Sequence, residues 1–171
     1  MTVAAVIGSV AAGAGIFFSH AAPWSLVAVG PWLFVRMALN AIDGMLAREH
    51  GQKSALGGVL NELGDVISDA ALYLPFACIE GIDRILVVIV VVLAILTEMT
   101  GVVCVQIGAS RRYDGPFGKS DRAFVFGVLG LIAGLTDWIG PWRDWLLIAM
   151  GALSIVTVVN RASRGLKETK R

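Results

Sequence analysis

Long apolar runs separated by short polar breaks set the pattern of this chain. Thr2 to Ser19 is apolar and rich in Gly and Ala, and His20-Ala21-Ala22-Pro23 breaks it. A second run starts near Trp24 and reaches about Glu49, turning polar over its last turns. A third, about Ala55 to Ile79, carries its polar residues in its first half. The fourth, Ile85 to about Gly108, has Glu98 as its one charge, and two more follow, about Ala123 to Leu135 and about Trp145 to Val159. A spanning helix needs about 20 apolar residues. The pattern therefore predicts an all-α integral membrane bundle of six transmembrane helices over 2–19, 24–49, 55–79, 85–108, 123–135 and 145–159, in one domain across 1–171. Asp137–Asp144, with two Trp and one Pro, reads as an interfacial turn, and the basic tail from Asn160 reads as frayed into solvent.

Composition removes the soluble alternative. Of 171 residues, 57% are hydrophobic and 16% charged, against about 25% charged in soluble domains. Cys78 and Cys104 lie far apart in apolar stretches, which suits small buried side chains rather than a disulfide framework. The distribution of charge is more informative than its net value of +1. Arg48, Lys53, Arg111, Arg112, Lys119, Arg122 and the basic tail fall on one side of the expected membrane, and only Arg84 and Arg143 on the other. Positively charged loops stay in the cytoplasm, which puts both termini and the polar ends of the second and third helices there.

Polar residues inside lipid-suited helices point to chemistry. An ionisable group at membrane depth costs about 2.5–3.5 kcal/mol on insertion scales and marks a functional site by default. Arg36, Asn40 and Asp43 share one helix face, and Asn61, Asp65 and Asp69, spaced by four, share a face of the next. An antiparallel hairpin turning near Gln52–Lys53 sets Asp43 level with Asn61, Asn40 with Asp65 and Arg36 with Asp69. Two facing polar stripes suggest a cation or catalytic site, with Arg36–Asp69 as a structural ion pair. Glu98 either neutralises Arg36 or lines a cavity with Thr97 and Thr100.

The segment Asn40-Ala41-Ile42-Asp43-Gly44-Met45-Leu46-Ala47-Arg48, followed after eight residues by Gly57, then Asn61 and Asp65, resembles the signature of the CDP-alcohol phosphotransferase family. That signature is DxxDGxxAR, eight residues, GxxxDxxxD. Asp43, Gly44, Ala47, Arg48, Gly57 and Asp65 match it in type and spacing. The resemblance implies transfer of a phosphatidyl or other substituted phosphate group from CDP-diacylglycerol or another CDP-alcohol to an acceptor alcohol, with release of CMP. It implies Mg²⁺ or Mn²⁺ at Asn40, Asp43, Asn61 and Asp65, with Asp65 also the general base. Gly44, Ala47, Arg48 and Gly57 would hold the CDP part. It further implies phospholipid biosynthesis, membrane lipid as a partner, a homodimer and no nucleic acid. The expected setting is a bacterial inner (cytoplasmic) membrane, with the site open to the cytoplasm. The small-residue spacing of Gly130 and Gly134 permits a helix contact. An amphipathic helix usually precedes the first span in this family, and the sequence here starts at that span.

The first and third signature aspartates are Asn40 and Asn61 here. Asparagine still offers an oxygen, but the site loses two formal charges. Three readings stay open: one metal, or two held with the help of the substrate diphosphate; a carboxylate supplied by Glu62 or Asp69; or a catalytically silent protein that binds CDP-lipid or supports a partner enzyme. Lys119 and Arg122, just ahead of the fifth helix, suit an anionic acceptor such as glycerol 3-phosphate or inositol phosphate. That acceptor would make the chain phosphatidylglycerophosphate-synthase-like. Arg161 either joins them or is a solvated positive-inside residue.

Overall fold

The computed structural model describes residues 2–19, 24–49, 55–136 and 140–170, apart from the side chains at 2, 43, 44 and 46–49. The breaks at His20–Pro23 and Gln52–Lys53, and 137–139 of the expected interfacial turn, lie outside the described residues. Those residues form six α-helices and no strand: α1 Thr2–Phe17, α2 Trp24–Glu49, α3 Ala55–Tyr73, α4 Arg84–Gln106, α5 Lys119–Leu135 and α6 Trp142–Glu168. The chain is all-α, as the apolar pattern predicts. Among the described residues three segments are long and apolar enough to cross a membrane, Trp24–Ile42, Arg84–Gln106 and Trp142–Glu168, and Val3–Phe17 is a shorter apolar helix. Outward-facing apolar side chains such as Phe34, Ile85 and Phe124 suit a lipid environment, where the backbone must satisfy itself within helices.

Several helix ends depart from expectation: α5 begins at Lys119 rather than about Ala123, so Lys119 and Arg122 lie in its first turn and not ahead of it. α3 stops at Tyr73 and tightens into a 3-10 turn over Leu74–Cys78, with Pro75 near its start. Proline has no N–H to continue an α-helical ladder and crowds the preceding turn. α6 does not fray after Val159 but continues to Glu168. Its reach is anchored by side-chain bonds to the loop after α4: Ser110 Oγ donates to Glu168 Oε2 at 2.9 Å, and Arg112 Nη1 donates to it at 2.8 Å. Cys104 is buried as expected, but Cys78, at the end of the 3-10 turn, is exposed.

The contacts group into two compact units. The first holds α1, α2, α3, the 3-10 turn and α5 from Ala123 onward; the second holds α4, the loop to Arg122 and α6. In the first, α1 packs on both α2 and α3. Its polar groups find partners at depth: Trp32 Nε1 donates to Ser9 Oγ at 3.3 Å, and Ser9 Oγ donates to the Ala5 carbonyl at 2.7 Å. Tyr73 stacks on Phe126 with ring centroids 4.2 Å apart. α5 lies against α2 along small residues. A Cβ on Gly130 would stand 3.0 Å from the Leu26 carbonyl oxygen, and one on Gly134 would stand 2.8 Å from Val27 Cγ2. The Gly130/Gly134 seam is thus used within the chain, because only glycine lets these backbones approach so closely.

Gly130→Leu should therefore overpack the α2–α5 seam and lower stability by about 1–3 kcal/mol. Gly58→Ala, where an added Cβ meets nothing within 4 Å, should leave it unchanged. Thermal unfolding in detergent would compare the two, and equal melting temperatures would refute the seam.

Candidate functional site

The polar stripes of α2 and α3 meet in the first unit. Arg36 Nη1 donates to Asp69 Oδ1 at 2.5 Å, and Nη2 donates to the Asp65 backbone carbonyl at 3.1 Å. One α-helical turn along, Asn40 Nδ2 donates to Asp65 Oδ1 at 2.9 Å, while Arg36 Nη2 stands 3.7 Å from the same oxygen. Numbers rise on α2 as they fall on α3, so the helices run antiparallel. Exposure grows along the hairpin. Arg36 and Asp69 are buried, Asn40 and Asp65 are half-buried, and Asn61 and Gly57 are exposed. A buried ion pair at one end thus fixes a polar ladder that opens at the other. Asp43, Gly44, Ala47 and Arg48 sit in the last turns of α2, but their side chains lie outside the described residues.

A second polar centre lies in the other unit, around Glu98 of α4. Arg122 Nη2 donates to Glu98 Oε1 at 2.8 Å, and Arg111 Nη2 donates to Oε2 at 3.3 Å. Arg161 Nη1 stands 3.5 Å from Oε2. Arg122 Nη1 also donates to Thr97 Oγ1 at 3.0 Å, and Arg161 Nη1 donates to the Thr97 carbonyl. Arg122 and Arg161 are buried, so Arg161 is not the solvated residue its place in the basic tail suggested. It is drawn in because α6 continues past it and turns its face toward α4. Lys119 opens α5 and is half-buried. The first turn of α5 also has its own acid, since Asp121 Oδ2 accepts from the Gly118 N–H at 2.7 Å as a cap. Outside this core, Asp114 Oδ2 accepts from Arg112 Nε at 2.7 Å and Asp114 Oδ1 from Arg164 Nη1 at 2.5 Å. Gly115 follows with φ +136, and a Cβ there would collide with Thr157 of α6.

A family model described as CDP-alcohol phosphatidyltransferase matches residues 1–159. The chain belongs to the CDP-alcohol phosphatidyltransferase family. It is 48% identical over 129 residues to "Inner membrane protein YnbA" of Escherichia coli K12, covering 75% of this chain and 64% of that protein. It is 28% identical over 138 residues to "Phosphatidylinositol phosphate synthase" of Mycobacterium tuberculosis H37Rv, covering 78% and 62%. The protein of the same name from Mycobacterium marinum is 29% identical over 140 residues, covering 78% and 57%. The chain thus spans 64%, 62% and 57% of the lengths of these relatives.

CDP-alcohol phosphatidyltransferases use divalent metal ions in general, and the donors on the two stripes have the right chemistry for one. They are oxygens, from the carboxylates of Asp43 and Asp65 and the amides of Asn40 and Asn61, which suits a hard cation. Among the described residues no group of three His, Cys, Asp or Glu could hold a metal ion. Two of the signature positions bring an amide instead of a charge. The Asn40 amide nitrogen faces Asp65; turning the amide over exchanges nitrogen for oxygen at the same place. Sequence spacing pointed to the hairpin ladder. It could not reveal the Glu98 cluster, whose partners lie 13, 24 and 63 residues away along the chain. One signal was available: Arg161, Arg164 and Glu168 recur at helical spacing and mark a continuing helix face.

Two outcomes test these contacts. Asp69→Asn should cost up to about 3–5 kcal/mol by taking from a buried guanidinium its nearer carboxylate, with Asp65 left at 3.7 Å, and Arg36→Gln in the same chain should recover part of the loss. Additive losses in unfolding measurements would count against direct pairing. The Arg112 guanidinium, with Arg164 beside it, holds the Asp114 carboxyl below its ordinary value of 3.8. A depressed carboxyl stabilises the fold fully above its unfolded value and ceases to do so as pH falls through the folded one. The stability gap between wild type and Asp114→Asn should therefore be widest near neutrality and close in acid; a gap independent of pH would refute the pairing.

Proposed function

We infer that this chain transfers a substituted phosphate group from a CDP-alcohol, with CDP-diacylglycerol the leading donor, to a small alcohol, releasing CMP in phospholipid biosynthesis. The observation that carries this reading is the Asn40–Asp65 bond beside the Arg36–Asp69 pair. It sets signature positions of α2 and α3 face to face at the half-exposed part of the hairpin. Asn40, Asp43, Asn61 and Asp65 would hold Mg²⁺ or Mn²⁺, which when bound supplies positive charge to a diphosphate and its leaving CMP. Asp65 takes the proton of the attacking hydroxyl, oriented by Asn40. Gly44, Ala47, Arg48 and Gly57 receive the CDP moiety. Such reactions depend mainly on positioning and electrostatics.

The basic groups of the second unit support an acceptor that carries a phosphate. Lys119, Arg122 and Arg161 would receive it, as in a phosphatidylglycerophosphate-synthase-like or inositol-phosphate-using reaction. The name of the mycobacterial relatives, "Phosphatidylinositol phosphate synthase", agrees with a phospholipid product. The name of the Escherichia coli relative supports a bacterial inner membrane, and the positive loops favour a site open to the cytoplasm. A homodimer is part of the same reading, with an interface other than the Gly130/Gly134 seam. One observation favours a second reading, a catalytically silent CDP-lipid binder: Asp65 Oδ1 already accepts from Asn40 and has Arg36 close by.

Purified protein given CDP-diacylglycerol, Mg²⁺ or Mn²⁺ and a panel of free and phosphorylated alcohols should release CMP. Asp65→Asn should reduce that release by about 10²–10⁴-fold, the range for loss of a positioned base, and Asp43→Asn should reduce it through weaker metal binding. CDP-lipid binding with no CMP from any alcohol would establish the silent reading instead.

A further inference from the structure

The far end of α6 carries a basic rim whose depth and charge both point to a ligand. α6 has 27 residues, Trp142–Glu168, and about 20 residues cross the apolar core of a bilayer. Counted from Trp142, that core ends near Arg161. At a rise of 1.5 Å per residue, Arg164 and Lys167 follow about 5 and 9 Å further on. That is the level of the lipid headgroups, which add roughly 5–8 Å on each side. Helical side chains lean back toward the N-terminus, so Lys167 leans toward the membrane. Arg112, Arg164, Lys167 and Glu168 line a cavity of about 350 Å³ at this level, a size that suits a small ligand group.

The acids of the rim are committed. Glu168 Oε1 accepts from the Ser110 N–H, and Oε2 accepts from Ser110 Oγ and Arg112 Nη1. Asp114 accepts from Arg112 Nε on one oxygen and from Arg164 Nη1 on the other. The cations are in excess, Arg112, Arg164 and Lys167 against Asp114 and Glu168, and the ion pairs among the described residues leave Lys167 out. Arg164 is 62% exposed and gives Asp114 one of its five N–H donors. The surplus is one positive charge. Beside Lys167, Leu166 is 53% exposed, an apolar side chain turned outward at headgroup level.

We propose that this cavity binds the headgroup of an anionic glycerophospholipid, with Arg164 and Lys167 on its phosphodiester. The single negative charge of a phosphodiester equals the surplus of the rim. A phosphate monoester, at about −1.5 to −2, exceeds it. A zwitterionic headgroup brings an ammonium, and all four carboxylate oxygens of Asp114 and Glu168 already accept hydrogen bonds. A lipid seated here bridges Arg112 of the loop to Arg164 and Lys167 of α6, and so holds the extended end of that helix. The site uses none of the side chains assigned to the donor or the acceptor and does not rest on the transferase reading.

The experiment titrates the full chain in uncharged detergent with phosphatidylglycerol or phosphatidylcholine, counting bound lipid by native mass spectrometry and following the melting temperature. Phosphatidylglycerol should bind and raise the melting temperature, and phosphatidylcholine should do so far less; equal effects overturn the proposal. Lys167→Gln leaves every ion pair of the rim in place and should weaken phosphatidylglycerol binding about fivefold, the worth of one cation at an anionic membrane surface. Lys170→Gln removes the same charge from a residue outside the cavity lining and should change binding much less. Equal losses in the two variants would show diffuse attraction to a basic tail and overturn a built site. Inorganic phosphate forms the last arm. Binding as tight as that of the lipid, and equally dependent on Lys167, would give the cavity to a free phosphate and overturn the lipid assignment.

Discussion

An arginine buried among lipid-suited helices has to bring its counter-charge with it, and Arg36 does so through Asp69. A lone guanidinium at that depth would cost several kcal/mol, so α2 and α3 can pack only in the register that joins the two. The rest of the hairpin follows from this restriction. Asn40 meets Asp65 because each lies one turn from the ion pair in an antiparallel arrangement. The signature residues farther along the same faces are carried to the open end. The pair's contribution is fixed alignment rather than net stability, since buried ion pairs recover little beyond their desolvation cost.

The second unit meets the same difficulty by another route. Glu98 is the one acid within α4, and three arginines arrive at it from the loop after α4, the start of α5 and the last third of α6. Asp114 and Glu168 then tie the loop to the last turns of α6 through Arg112 and Arg164. Packing between α4 and α6 and this charged collar support each other, and that is why α6 outlasts its apolar stretch.

Much of the architecture could be read from the apolar runs, because a helix in lipid has few alternatives to continuing until its apolar surface ends. Where boundaries moved, a specific contact decided it: Pro75 shortened α3, and Glu168 lengthened α6. The α2–α3 ladder was legible because both partners sit on helices joined by a short turn, where spacing alone fixes who faces whom. The Glu98 cluster was not, since nothing in the pattern of α4 says which of many loop and tail arginines will turn inward. Arg161 looked like a solvent-facing member of a basic tail until α6 was seen to carry it against α4.

Asparagine at position 40 removes a conflict of charge from the closed hairpin. A carboxylate there would face Asp65 across less than 3 Å, and two such groups repel unless one is protonated or a cation intervenes. The amide removes that conflict by donating a hydrogen to its neighbour. The contact between α2 and α3 at this level can therefore close with no inorganic ion between the two side chains.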